Sequence, residues 1–153
     1  MLRQQLSSLP KIVTRESDTL PESTDEALFS ITGGKVRVKE IVGEVTTVIQ
    51  TQANDTKLKF NPSGTGSDTD ICAALDISAD AVGTLYTITG DFSDAMKESG
   101  GVWAAETDNV MEQMGIVLGP GDIEIDCAAT NTGEIEWSVV YEPIDVGAQI
   151  HAA

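Results

Sequence analysis

The sequence predicts an all-β protein that folds as a two-sheet β-sandwich, with the jelly roll as one candidate form. About eight segments alternate apolar and polar residues or are dense in β-branched residues, and turn-forming residues separate them. No long segment has the apolar period of a helix. A chain of 153 residues suits one domain, which would bury roughly 68–70% of its unfolded surface.

Strand patterns begin at residue 27 and continue along most of the chain. They predict strands over residues 27–32, 35–39, 41–50 and 56–60, with Gly43 as a bulge or bend in the third of these. Weaker strand patterns occupy residues 71–75 and 84–89.

The clearest unit lies near the C-terminus. Residues 122–127 and 134–141 both alternate, and the turn-forming residues 128–133 join them, so we predict a β-hairpin. One face of this hairpin is apolar, and we assign it to the core: Ile123, Ile125, Ile135, Trp137, Val139 and Tyr141.

Two regions depart from the strand pattern. Residues 1–26 are polar and predict an extended N-terminal arm, which leaves residues 27–153 for the sandwich domain. We expect a chain without residues 1–20 to remain folded. Residues 91–114 predict a short helical insertion, with Asp91 as the cap of a helix over residues 92–98 and a second helical turn over residues 108–114.

Positive charge is concentrated in the first part of the chain. Eight of the nine Lys and Arg and eight of the 25 Asp and Glu lie within residues 1–59, so this part has no net charge. The remainder contains Lys97 and 17 acidic residues, a net charge of −16. Nucleic acids and anionic membranes need clustered cations, so we expect neither as a partner. No apolar run suits a membrane span or signal peptide, and we expect a chain made in the cytoplasm.

The sequence contains no recognisable catalytic constellation. His151 is its one histidine, and no phosphate-binding, zinc-protease or nucleophile-elbow motif occurs. We therefore expect neither enzyme activity nor a cofactor. Cys72 and Cys127 lack metal-ligand spacing, and of the two arrangements open to them, a disulfide or two buried thiols, we predict reduced thiols.

An acidic face accompanies the apolar face of the predicted hairpin. Asp122, Glu124 and Asp126 share it, and Glu134 and Glu136 are expected to lie opposite them, where like charges repel. Three interpretations are open. The face is screened by solvent, it lies beside a basic strand that contains Lys57 and Lys59 or Lys35 to Lys39, or it binds Ca²⁺.

Three segments carry a resemblance to a known group of proteins. Residues 25–36, 41–54 and 119–133, together with Trp137, Tyr141 and Pro143, resemble small virion proteins of tailed bacteriophages. The resemblance covers residues 25–145. Within these virion proteins, the sequence is most similar to capsid decoration, or cement, proteins, which sit as trimers or dimers on the shell and stabilise it.

The resemblance implies a virion location, with the major capsid protein and copies of the chain itself as partners. A tail-tube or head-completion subunit is the alternative, and a carbohydrate-binding β-sandwich is a third. A decoration protein would bring its cations and the apolar residues of its arm against the shell. The expected partner-binding residues are Leu2, Arg3, Leu6, Lys11, Ile12, Arg15, Lys35, Arg37 and Lys39.

Overall fold

The chain forms two antiparallel sheets packed face to face, in a computed structural model that describes residues 9–100, 103–105 and 115–153. The strands of the described residues are β1 (Lys11–Thr19), β2 (Asp25–Thr32), β3 (Val36–Thr47), β4 (Asp55–Pro62), β5 (Thr69–Asp70), β6 (Leu75–Asp76), β7 (Leu85–Thr87), β8 (Lys97–Glu98), β9 (Ile116–Leu118), β10 (Gly121–Cys127), β11 (Glu134–Pro143) and β12 (Gln149–Ala152).

The strand order is that of a jelly roll with one added strand. The first sheet has the order β1-β11-β3-β7-β8, with β9 also paired to β3, and the second has the order β12-β2-β10-β4-β5, with β6 also paired to β4. Without the short β6, β8 and β9, the strands β1-β11-β3-β7 and β2-β10-β4-β5 follow the jelly-roll winding, and β12 adds an edge beside β2. The predicted two-sheet sandwich is confirmed.

The predicted C-terminal hairpin is wrong. β10 pairs with β2 and β4 in the second sheet, whereas β11 pairs with β1 and β3 in the first, so residues 128–133 cross between the sheets. Alternation identifies the buried face of a strand but not the strand beside it. Both strands do turn their apolar faces to one core, from opposite sides.

The irregularities of β3 lie away from Gly43. Residues 35–39 and 41–50, predicted as two segments, merge into one strand, and its register against β11 shifts at Thr46 and at Lys39. Gly43 stays in register opposite Trp137. A Cβ atom at Gly43 would lie 2.7 Å from the Trp137 ring, so this glycine makes room for an aromatic side chain rather than forming a bulge.

The helix predicted over residues 92–98 is also wrong. Asp91 accepts hydrogen bonds from the backbone N–H of Ser93 (2.9 Å) and Asp94 (3.1 Å), which closes a local turn. The chain then enters β8, and no helix occurs among the described residues. The second predicted helical turn, over residues 108–114, lies outside them. None of the described residues therefore forms a helix that could cross a membrane.

Much of the expected N-terminal arm belongs to the sandwich. β1 pairs along its length with β11, and Leu20 is buried in the core. The next strand, β2, already starts at Asp25. Deleting residues 1–20 would remove an edge strand and a core side chain, which corrects the expectation that this deletion leaves the fold intact.

The core lies between the two sheets and includes all six side chains assigned to it from the sequence, Ile123, Ile125, Ile135, Trp137, Val139 and Tyr141. The Trp137 ring stacks on Tyr86 with centroids 6.2 Å apart, in a geometry favourable for aromatic pairs. Cys72 and Cys127 are buried free thiols, as predicted, and burial raises the pKa of Cys72 to about 11.

The Tyr86 hydroxyl group makes a polar contact at the edge of the core. Its hydroxyl donates a hydrogen bond to Asp80 (2.5 Å). Burial, together with the nearby charge of Glu98, raises the pKa of Asp80 to about 6, although the bond from Tyr86 acts in the opposite direction. Asp80 therefore stabilises the folded state less as its carboxyl group ionises.

Gly43→Ala should destabilise the protein by about 1–3 kcal/mol, because the new methyl group overlaps the Trp137 ring. Trp137→Ala should cost about 3–5 kcal/mol and should abolish most of the effect of Gly43→Ala in the double variant, since the ring is then gone. Urea denaturation measures all three changes. Gly64→Ala is the control, because a Cβ atom at Gly64 has no neighbour within 4 Å. Additive costs in the double variant would contradict the contact.

Asp80→Asn should stabilise the protein at neutral pH by about 1–2 kcal/mol. The folded-state pKa of Asp80 is raised, so its favourable contribution is complete below about pH 4 and is lost as pH rises through about 6. In denaturation curves from pH 4 to pH 7.5, the free energy of unfolding of the variant should therefore exceed that of the natural protein by a margin that grows with pH. Asp76→Asn is the control: hydrogen bonds from the backbone N–H of Asn54 and Ser78 lower the pKa of Asp76 below its ordinary value of 3.8, so its contribution is lost only at lower pH, and the cost of this variant should stay nearly constant over the range. A pH-independent effect of Asp80→Asn would refute this account.

Candidate docking surface

One end of the first sheet collects four of the basic residues. Lys11 at the start of β1 lies opposite Tyr141, which in turn lies opposite Val38, and Lys39 is the next residue of β3, at the register shift. Lys35 and Arg37 stand at the start of β3, at the same end. We call this region, defined by Lys11, Lys35, Arg37 and Lys39, the basic end.

The expected partner-binding residues have different surroundings. Leu2, Arg3 and Leu6 lie outside the described residues. Ile12 is 71% exposed on β1 and Lys11 is exposed beside it. No ion pair of Lys11 or Lys39 occurs within residues 9–100, 103–105 and 115–153.

Arg15 is not available to a partner. Its side chain is 12% exposed and pairs with Asp18 (3.2 Å) on its own strand and with Glu26 of the opposite sheet. Arg15 and Glu26 both point towards the interior, where they link β1 to β2 along the open side of the sandwich. This placement corrects the expectation that Arg15 belongs to the docking residues. Arg15 instead forms an ion pair that links the two sheets.

The loop between β11 and β12 lies at the basic end and is tied to the start of β3. Lys35 donates its backbone N–H to Asp145 (2.8 Å), and its ammonium group lies 2.9 Å from the same carboxylate. These bonds, the backbone bond first, lower the pKa of Asp145. The backbone N–H of Ile144 returns a bond to the carbonyl oxygen of Lys35 (2.9 Å).

Exposed apolar side chains accompany these cations. Ile12 on β1, Val117 on β9 beside Arg37, and Ile144 and Val146 in the β11–β12 loop are all exposed. The last two were not expected from the sequence, because they stand outside any strand pattern. A hollow of about 100 Å³ lies between this loop and Lys11. The basic end thus combines positive charge with apolar surface, as docking surfaces often do.

Two of the three acidic residues of β10 lie opposite lysines of the second sheet, and the third, Asp122, accepts a hydrogen bond from the hydroxyl of Ser30 (2.7 Å). Glu124 lies opposite Lys59 and Asp126 opposite Lys57 in the ladder with β4, with ion pairs of 3.6 and 3.9 Å. This is the basic-strand interpretation of the acidic face. Glu134 and Glu136 were expected to lie opposite these residues, and this expectation is wrong. Both lie on β11 in the first sheet, where Glu136 lies opposite Glu44.

Lys59 stands among three carboxylates whose spacing would also suit a cation. Oxygen atoms of Asp25, Asp68 and Glu124 lie within 4.8 Å of one another. The ammonium group of Lys59 contacts all three, at 3.0 Å from Asp68 and 3.6 Å from Glu124. Burial opposes its charge, but the bonds to Asp25 and Asp68 outweigh burial and raise the pKa of Lys59. The lysine ammonium group therefore lies where a cation would bind among these three carboxylates.

A second, more open cleft lies at the opposite end of the sandwich. It has a volume of about 470 Å³, and its lining includes Thr47, Gln50 and Asn131. Its lining contains no aromatic ring among the described residues, so it lacks the flat apolar platform that an aromatic side chain would offer to a sugar.

Comparisons of the chain with protein-family models, with curated proteins and with solved structures yield no match. The geometry and the sequence are therefore the basis for the functional argument that follows.

Lys59→Met should destabilise the protein by about 3–5 kcal/mol at pH 7, because Asp25, Asp68 and the buried Glu124 lose their shared counter-ion. The loss should shrink as pH falls from 7 to about 3, because the bond from Lys59 lowers the pKa of Asp25 and this contribution is lost as pH falls through it. Lys57→Met is the matched control and should cost less, since Lys57 is more exposed. Chemical denaturation at both pH values measures the effect. Equal, pH-independent costs for the two variants would show that Lys59 is not the counter-ion of a buried cluster.

Proposed function

We propose that this chain is a structural protein of a tailed-phage virion that binds the outside of the capsid and stabilises the shell. Its partner in this role is the major capsid protein, and its copies sit on the shell as dimers or trimers. The role requires neither catalysis nor a cofactor.

The distribution of the cations is the observation that carries the proposal. Of the described basic residues, Arg15, Lys57 and Lys59 are engaged in ion pairs within the sandwich. Lys11, Lys35, Arg37 and Lys39 collect at one end beside exposed apolar side chains, where Lys35 also pairs with Asp145 and Arg37 lies opposite Glu142, in a chain whose net charge is −16. Such a chain would approach a partner with its basic end, and its remaining acidic surface would face solvent.

The fold adds support by analogy. Jelly rolls occur in viral capsid proteins and in lectins, so the fold alone does not decide between a virion role and sugar binding. The lack of an aromatic platform in the cleft at the opposite end favours the virion role. A rigid sandwich with an accessible edge strand and a basic end also matches the mechanical task of bridging shell subunits.

The test uses the phage that encodes this chain and a mutant of it that lacks the gene. Purified protein added to mutant heads should co-sediment with them and raise the temperature at which they release DNA. Lys39→Glu should weaken binding roughly tenfold at low salt, and less at high salt. Lys97→Glu, the same charge change on β8, should bind like the natural protein.

Two results would contradict the proposal. One is a natural protein that fails to bind mutant heads. The other is mass-spectrometric detection of the protein in isolated tails and not in heads, which would favour the tail-tube or head-completion role.

A further inference from the structure

We propose that the β11–β12 loop is the anchor of the docking surface, with Val146 as a knob that enters an apolar depression on the partner while an acidic partner side chain enters the hollow beside Lys11. This inference rests on the proposed function, because the partner is taken to be a subunit of the phage shell.

Val146 stands at the corner of a tight turn. The backbone N–H of Ala148 donates to the carbonyl oxygen of Asp145 (3.1 Å), which closes a four-residue turn. Gly147 occupies the third position with φ of 85°, as a type II turn requires. Val146 is 98% exposed at the second position. A branched apolar side chain gains nothing for folding when it is so fully exposed.

The turn is held in place before any partner arrives. Asp145 is bonded to both the backbone and the ammonium group of Lys35, and Ala148 is buried. A Cβ atom at Gly33 would lie 2.4 Å from the carbonyl oxygen of Gly147, so the β2–β3 turn packs closely beneath the loop. A held loop loses little conformational entropy on binding, which increases the contribution of an exposed side chain at its tip.

The hollow beside Val146 is lined by one cation, Lys11, and by one carboxylate, Asp145, which already pairs with Lys35. It holds about 100 Å³ and is lined by Lys11 and residues 143–149. Lys11 forms no ion pair with any residue that the structure describes, so its ammonium group can meet a carboxylate of the partner. A partner surface that is acidic around an apolar depression would therefore match both features at once.

The experiment measures binding of variants to mutant heads that lack the protein. Val146→Ser should weaken binding roughly tenfold, since one buried Val side chain is lost, and Val146→Asp should weaken it further. Lys11→Glu should weaken binding roughly tenfold at low salt and less at high salt. The thermal midpoint of the Val146 variants should stay unchanged, because the side chain touches solvent only.

Val48→Ser and Lys97→Glu are the matched controls. Val48 is an exposed valine at the opposite end of the sandwich, and both control variants should bind heads like the natural protein. If Val146→Ser and Lys11→Glu bind as tightly as these controls, the anchor is wrong while the docking role stands. If the natural protein itself does not bind heads, the proposed function fails, and the two failures are thereby distinguished.

Discussion

The pairing of β1 with β11 is the constraint on which the rest of the molecule depends. It joins the start of the described chain to its last long strand, with Lys11 opposite Tyr141, so it brings together residues that are far apart in the sequence. The same ladder turns Arg15 inward towards Glu26 and brings Lys11 beside the β11–β12 loop. One set of backbone hydrogen bonds thus closes the sandwich and assembles the basic end.

The few cations have two roles: some pair with carboxylates within the sandwich, and others lie at the basic end. β10 is a central strand with three acidic residues on one face, and without neighbours of opposite charge this face would repel itself. Lys57 and Lys59 on β4 supply those neighbours, and Arg15 offsets Glu26 between the sheets. The neutral N-terminal part of the sequence is therefore not one basic surface. Among the described residues, three of these cations form ion pairs within or between the sheets, and four lie at the basic end, where Lys35 pairs with Asp145.

The sequence predicts which face of a strand is buried better than it predicts which strands pair. Alternation assigned Trp137 and Ile125 to the core, because the period of a strand determines which side chains share a side. The pairing of β11 with β1 and β3 depends on contacts between residues far apart in the chain, and no local pattern encodes it. The hairpin prediction failed for this reason. A turn at Asp91 was likewise misjudged as a helix cap, since both use the same side-chain hydrogen bond.

The basic end was predicted only in part. Lys11, Lys35, Arg37 and Lys39 were expected to bind a partner, but their assembly with the β11–β12 loop needed the register of β1 and β3 against β11. Gly147 was the available signal for the turn, because a glycine between a strand end and the next apolar run often supports a positive φ. Nothing in the sequence showed that Val146 would stand fully exposed at its corner.

Hydrogen–deuterium exchange of the free protein and of the protein bound to phage heads tests the central claim most directly, because it locates the docking surface without any substitution. Binding should slow exchange in residues 9–15, 35–39 and 143–149, and should leave the loops of the opposite end, residues 48–54 and 128–133, unchanged. Slower exchange at the opposite end, with none at the basic end, would contradict the claim that the protein docks through its basic end.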